Sequence, residues 1–144
     1  MKYSTEIIIN IPREKVLELF DSTDNLYKWQ PTLKSFEHLS GAPGMEGAKS
    51  RLIYIERGKE LEMTETITKR NLPEEFSGLY ETKGVKNTLI NDFHEEGPNS
   101  TRWVIVSEFK FSGFMKFIAI FMRRAFPKQT LKTMNQFKEF AENS

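Results

Sequence analysis

The feature that most constrains the fold is a helix-like run from Phe114 to Glu142, which follows a long stretch of strand-like sequence. Apolar residues in this run recur at three- and four-residue steps, the period of one helix face. They are Phe114, Phe117, Ile118, Phe121, Ala125, Leu131, Met134, Phe137 and Ala141. A curved sheet needs its concave face covered, and only this segment is long and apolar enough to cover it. We therefore expect the chain to be organised around it.

Pro127 interrupts the run. It lacks an amide hydrogen and its ring clashes with the carbonyl of Arg123, which predicts a kink near 124–127 or two successive helices. The first half is apolar nearly all round, which predicts cover on more than one side. Its uncharged part, 117–122, is far shorter than the roughly twenty residues that cross a bilayer.

Three interpretations of this first half stay open: core packing against the sheet, a wall shared with a ligand cavity, or contact with a membrane surface or a partner protein. The third is favoured by the basic residues beside the apolar stretch. These are Lys116, Arg123, Arg124 and Lys128.

The rest of the chain predicts a strand, two short helices and six further strands. We expect strands at 3–10, 33–40, 49–57, 59–70, 76–83, 85–94 and 101–111, and short helices ending near 21 and spanning 23–30.

Alternation in the 59–70 strand indicates which residues face inward. Leu61, Met63, Glu65 and Ile67 alternate with polar residues, so these odd positions are expected on the covered face. The 49–57 strand is ambiguous, because two inward sets fit its pattern. One set is Arg51, Ile53 and Ile55, and the other is Leu52 and Tyr54.

Length and composition exclude several classes of protein. A chain of 144 residues fits a single domain, 1–144, and can bury a core without disulfides or metals. It has no cysteine, and 21 basic against 20 acidic residues give a net charge of +1, so neither a thiolate site nor a nucleic-acid surface is expected. His38 and His94 are not spaced as metal ligands, so we predict no metal and no cofactor. The start of the chain has no signal sequence, which favours a cytoplasmic location.

Several segments, taken in order, resemble the START-related superfamily, also called SRPBCC. The superfamily includes polyketide cyclase/dehydratase-like proteins, plant pollen allergens and lipid-transfer domains. The segments that carry the resemblance are Ile7–Ile9, Ile11–Val16, Phe20, Trp29–Pro31, Gly47 before a strand, Thr101 opening the last strand, and the terminal helix.

The resemblance implies an α+β helix-grip fold, in which a curved antiparallel sheet of about seven strands, in the order β-α-α-β6-α, wraps around a long C-terminal helix. It also implies a deep cavity between sheet and helix that binds apolar or amphipathic small molecules. No single catalytic motif spans the superfamily, so it supplies no catalytic positions.

Glu65 is the one weak catalytic candidate, because strand parity places its carboxylate among apolar side chains. Burial would raise its pKa and suit it to general acid or base chemistry. Alternatively, it pairs with an inward arginine such as Arg51, or lies at a solvated rim.

The predicted ligand-binding set combines apolar walls with polar groups, the usual composition of a small-molecule site. Its members are Trp29, Tyr54, Met63, Glu65, Tyr80, Asn91, Trp103, Phe117 and Phe121. For Trp29, Tyr54, Tyr80, Asn91 and Trp103 the alternative is core or edge packing, which is the commoner role of such residues.

Three functions fit these sequence features. The first is a binding or carrier domain for a lipid-like molecule held against the Phe114–Phe126 half of the helix. The second is a cyclase/dehydratase-like enzyme that uses Glu65 with a tyrosine. The third is a protein-interaction module with a filled core, and a homodimer is compatible with all three.

Overall fold

The computed structural model describes residues 1–144 and contains one seven-stranded sheet and four helices. The elements are β1 (Lys2–Ile9), α1 (Arg13–Phe20), α2 (Thr23–Trp29), β2 (Leu33–Ser40), β3 (Lys49–Glu56), β4 (Lys59–Asn71), β5 (Glu75–Thr82), β6 (Val85–Gly97), β7 (Ser100–Phe111), α3 (Met115–Phe121) and α4 (Ala125–Glu142). The sheet order is β1-β7-β6-β5-β4-β3-β2, with every neighbouring pair antiparallel. This confirms the predicted helix-grip architecture.

Cross-strand register resolves the ambiguous parity of β3. Leu52 lies directly opposite Met63, and Ser50 lies opposite Glu65. Leu52 and Ser50 are both buried. Since directly opposed residues share a face of the sheet, the even positions of β3 and the odd positions of β4 point to the concave side together.

The core fills one part of the concave face, beneath α1, α2 and the second half of α4. Its centre is an aromatic cluster in which the Phe20 ring lies 5.0 Å from Phe93, 5.7 Å from Trp103 and 5.8 Å from Phe137. Edge-to-face pairs of this kind contribute about 1 kcal/mol each beyond area burial. The buried members of the core are Ile9, Val16, Leu19, Trp29, Phe93, Trp103, Ile105, Met134, Phe137 and Ala141.

The terminal run is divided into two helices, as the proline predicted. α3 ends at Phe121 and α4 begins at Ala125, so Pro127 lies in the first turn of α4. A first-turn amide has no intrahelical acceptor, and proline therefore costs little there. α4 packs on β1 and α2, whereas α3 packs on β7. No helix is both long and apolar enough to span a membrane.

The prediction that the first half of this run is covered on more than one side is wrong. Phe114, Phe117, Ile120 and Phe121 are 75%, 63%, 68% and 89% exposed, and Ala119 is the one buried residue of α3. The physical reason is that the helix ends after Phe121, because α3 is then only seven residues long and is not continuous with α4, which packs on β1.

Candidate functional site

Glu65 and Tyr80 form a hydrogen-bonded pair on the concave face. They are directly opposite across the β4–β5 pair, and the Tyr80 hydroxyl donates to Oε2 of Glu65 at 2.7 Å. Both side chains are half-buried. The other carboxyl oxygen, Oε1, has no partner within the protein, yet it is not enclosed, because Nε1 of Trp29 is the only fully enclosed side-chain polar atom that lacks a hydrogen bond. Oε1 is therefore at least partly open to solvent.

The position of the Tyr80 ring depends on Gly78. A Cβ at residue 78 would lie 3.1 Å from Cε2 of the Tyr80 ring and 3.5 Å from its hydroxyl. The ring therefore lies back over the glycine, which leaves the hydroxyl within reach of Glu65. An isolated glycine inside a strand often marks such a close approach.

A second tyrosine on the same face, Tyr54, is hydrogen-bonded to the C-terminal end of α2. The Tyr54 hydroxyl donates to Oε1 of Gln30 at 2.6 Å. Gln30 is the C-cap residue of α2, so the link joins the end of that helix to the inner face of β3. Tyr54, Glu65 and Tyr80 are also coupled electrostatically, which places them in one cluster. We call these three residues, with Gln30, the Glu65 cluster.

Burial controls the protonation of this cluster. It raises the pKa of the Glu65 carboxyl above its ordinary value of 4.5, and the hydrogen bond from Tyr80 lowers that pKa only partly. Burial and then the negative charge of Glu65 raise the pKa of the hydroxyls of both Tyr54 and Tyr80. The two tyrosines therefore remain protonated at neutral pH, and Glu65 holds its proton at a higher pH than an exposed carboxyl does.

The suggested pairing of Glu65 with Arg51 is wrong. Arg51 lies at an odd position of β3 and points to the convex side, where its guanidinium forms ion pairs with Glu37 at 3.3 Å and Glu62 at 3.6 Å. The parity of β3 thus leaves the Glu65 carboxyl without a cationic partner.

Three other predicted site residues lie in the packed core. The Trp103 Nε1 group donates to Oδ1 of Asn91 at 3.0 Å, and the Asn91 amide donates to the carbonyl of Phe76 at 3.1 Å. The ring of Trp29 lies 5.1 Å from Phe137 in an edge-to-face contact. The Trp103–Asn91 bonds satisfy the side chains of both residues, whereas Nε1 of Trp29 is left as a buried donor without an acceptor.

The remaining predicted residues lie at two different places. Met63 is half-buried on the concave face, next but one to Glu65 on the same strand. Phe117 and Phe121 belong to the exposed side of α3, so they enclose no cavity. Two open grooves on the surface, of about 560 and 610 Å³, border neither Glu65 nor Tyr80.

Sequence reasoning missed two members of the site, Gln30 and Gly78. The sequence places Gln30 only at the end of the 23–30 helix and in the Trp29–Pro31 segment, and nothing in it indicates that the Gln30 amide meets a tyrosine 24 positions later. The signal for Gly78 was present, because it is an isolated glycine within an otherwise regular strand. No group of three or more His, Cys, Asp or Glu side chains is arranged to hold a metal ion.

The helix-grip fold defines the structural class, and solved structures with the same fold agree with this assignment. The Zhui aromatase/cyclase from Streptomyces sp. R1128 superposes with a TM-score of 0.81 at 15% identity over 99% of this chain and 93% of its own. Ara h 8.0201 gives a TM-score of 0.79 at 12% identity over 100% and 99% of the two chains.

A third structure, norcoclaurine synthase from Thalictrum flavum in complex with dopamine and hydroxybenzaldehyde, gives a TM-score of 0.74 at 10% identity, covering 97% of this chain and 85% of its own. No protein-family model and no curated protein matches the sequence. At these identities the likenesses establish the fold alone, and it is the helix-grip fold that the resemblance predicted.

Proposed function

We propose that this protein binds a small, largely apolar molecule that carries a hydrogen-bonding group, on the concave face around the Glu65 cluster. One observation carries the proposal: Oε1 of Glu65 has no partner and is not fully enclosed within a half-buried site, while Oε2 accepts a hydrogen bond from Tyr80. A buried carboxyl without an ionic partner is costly, and a ligand hydroxyl or amine that bonds to Oε1 would offset that cost.

The surroundings of the cluster support an apolar ligand. Leu52, Met63 and Leu61 lie on the same inner faces of β3 and β4, beside Tyr54 and Glu65. Apolar walls with a few fixed polar groups are typical of small-molecule sites. The fold neighbours include a structure described with two aromatic molecules bound, which favours the same ligand class.

A second candidate function is acid–base catalysis on such a ligand. It is favoured by the raised pKa of Glu65 together with the direct hydrogen bond from Tyr80. Glu65 would accept or donate the proton, and Tyr80 would orient the carboxyl through Oε2. Two of the fold neighbours are described as an aromatase/cyclase and a synthase, which agrees with this chemistry.

The binding proposal is tested with 2-naphthol, a neutral fused ring with one hydroxyl, titrated into the parent protein and variants by isothermal calorimetry. Glu65→Gln is expected to weaken binding about tenfold or more, because a hydrogen bond to a charged group contributes about 1.5–3 kcal/mol. Tyr80→Phe frees Oε2 and is expected to weaken binding by a smaller factor.

The control is Tyr27→Phe, which removes a tyrosine hydroxyl of α2 that accepts from the Phe36 amide and forms no hydrogen bond with the Glu65 cluster. It should leave the affinity for 2-naphthol unchanged. Equal affinities in the parent, Glu65→Gln and Tyr27→Phe proteins would contradict the proposal. If Glu65→Gln retains binding but abolishes turnover of a substrate, the catalytic candidate replaces it.

A further inference from the structure

The outward side of α3 carries the four most exposed large apolar side chains of the protein. They are Phe121, Phe114, Ile120 and Phe117, at 89%, 75%, 68% and 63% exposure. Successive residues of a helix are about 100° apart, so these four fall on one arc opposite Ala119. We call this arc the α3 face. Burying a single Phe side chain releases about 1.5–3 kcal/mol, so an apolar surface of this size normally has a partner.

The chain around the α3 face is strongly basic, although the whole protein has a net charge of only +1. No acidic residue occurs between Glu108 and Glu139. The basic residues of that segment are Lys110, Lys116, Arg123, Arg124, Lys128, Lys132 and Lys138. Of these only Lys138 forms an ion pair, with Glu142. The other cations are free to meet an external anion.

A groove of about 560 Å³ beside α3 combines the same two properties. Phe109 and Phe111 of β7 contribute apolar surface, and Lys2, Lys116 and Arg123 border it. An anionic headgroup with an apolar chain matches such a groove, because the charge can reach the cations while the chain lies on the rings.

We propose that the α3 face docks the protein on an anionic lipid bilayer. The aromatic side chains would enter the interface while Lys116, Arg123 and Arg124 remain at the level of the lipid phosphates, as amphipathic surface segments do. This inference concerns a different surface from the Glu65 cluster and does not rest on the proposed function.

Charge and size both favour a bilayer over another protein. A second copy meeting the α3 face through a two-fold axis would bring the same cations together, which is repulsive. α3 has seven residues and is about 10 Å long. A helix of this length offers much less area than a stable protein interface, which buries about 1,200–2,000 Å². A bilayer surface has no such minimum size and supplies the opposite charge.

The test is flotation of the full-length protein with vesicles of phosphatidylcholine alone and of phosphatidylcholine mixed with phosphatidylserine. We expect binding to the mixed vesicles only. Raising the salt from about 0.1 M to about 1 M should release the protein, because the Debye length falls from about 10 Å to about 3 Å. Equal binding to both vesicle types, or to neither, would overturn the proposal.

Two sets of surface substitutions separate the apolar and electrostatic contributions. Phe117→Ser with Phe121→Ser should lower the partition coefficient on mixed vesicles by at least about tenfold. Reversing Lys116, Arg123 and Arg124 to Glu should lower it by at least about a hundredfold, since each cation near an anionic surface contributes roughly a fivefold factor and each glutamate adds repulsion.

Matched controls alter similar side chains elsewhere. Leu39→Ser with Met45→Ser removes two exposed apolar residues far from α3 in sequence. Reversal of Lys15, Lys28 and Lys59, which are exposed and unpaired, changes the net charge by the same amount as the α3 reversal. Both controls should bind vesicles more tightly than the corresponding α3 variants. A control that loses binding as fully as its α3 counterpart would contradict the inference, as would a dimer in sedimentation that Phe117→Ser dissociates.

Discussion

The protonation of Glu65 depends on the fold. In the unfolded chain its carboxyl is solvated, whereas in the folded protein burial raises its pKa above 4.5. The folded state therefore binds the proton more tightly than the unfolded state. The stabilisation that Glu65 contributes by binding its proton is fully present below the pKa of the unfolded chain. It is lost as the pH rises through the pKa of Glu65 in the folded protein.

Glu65→Gln removes that dependence, because glutamine cannot ionise but can still accept from Tyr80. We predict that the variant gains stability relative to the parent protein as the pH rises from 4 to 7 (on the order of the shift in pKa, at about 1.4 kcal/mol per unit). The measurement is urea unfolding of both proteins across that range. A stability difference that is constant with pH would show that the carboxyl of Glu65 titrates as an exposed group does.

Gly78→Ala tests the placement of the Tyr80 ring. A Cβ at 3.1 Å from the ring must displace it, which should stretch the hydrogen bond to Glu65 and raise the pKa of that carboxyl further. Carboxyl-detected NMR titration measures the change. The control is Gly97→Ala, since no atom lies within 4 Å of a Cβ at that position. An unchanged Glu65 titration in Gly78→Ala would contradict the positioning role of the glycine.

Strand alternation predicts which side chains of the site point inward, but it does not predict which of them meet across strands. The odd positions of the 59–70 strand predicted that Glu65 points inward, and the structure agrees. The register between β4 and β5 depends on residues 71–75 and on an irregularity between Ile67 and Lys69, which no sequence period reveals. The pairing with Tyr80 therefore could not be derived from sequence alone.

At the scale of elements, the attachment of α3 depends on a second glycine. A Cβ at Gly84, in the turn between β5 and β6, would lie 2.8 Å from Cγ of Met115 and 3.1 Å from the Ser112 carbonyl oxygen. The first residue of α3 thus packs directly onto a bare backbone position. α3 is fixed at its start by this contact and by Ala119, while its outer side remains free.

Gly84→Ala is expected to loosen α3 in addition to straining the turn. Hydrogen exchange of the α3 amides should accelerate in this variant. Gly58→Ala provides a matched control, because both glycines have a φ of +77° but no atom lies within 4 Å of a Cβ at Gly58. Both variants should lose about 1 kcal/mol from the left-handed conformation. Equal exchange in the α3 amides of the two variants would exclude the anchoring contact.

The division of the terminal run was predictable, but the exposure of α3 was not. Pro127 gave a local steric signal for the break. A helix that is apolar nearly all round carries no information about which side is covered, so the sequence predicted burial on more than one side. The strand boundaries were predicted to within a few residues, because β-branched alternation and glycine-rich turns are local signals.

At the scale of the whole molecule, the structure separates the aromatic residues that stabilise the fold from those available for contacts. Phe137 is fully buried and contacts Phe20, Trp29 and Trp103, whereas Phe121 is 89% exposed. The same residue type in the same terminal run should therefore have opposite importance for stability.

Phe137→Ala should lower the free energy of unfolding by about 3–5 kcal/mol, because it leaves a cavity in the aromatic cluster. Phe121→Ala should change it by less than about 0.5 kcal/mol, since the side chain makes few contacts. Denaturant unfolding of both variants measures the contrast. A cost above about 2 kcal/mol for Phe121→Ala would mean that α3 packs into the fold rather than facing outward.

Amide chemical-shift mapping with 2-naphthol tests directly whether a small molecule binds on the concave face at the Glu65 cluster. We expect the perturbed amides to lie on β3, β4 and β5, around Ser50, Glu65 and Tyr80. Perturbations confined to α3 and the end of β7, or none at all, would contradict it. The first of those results would place the ligand in the groove beside α3 and leave the membrane proposal to its own test.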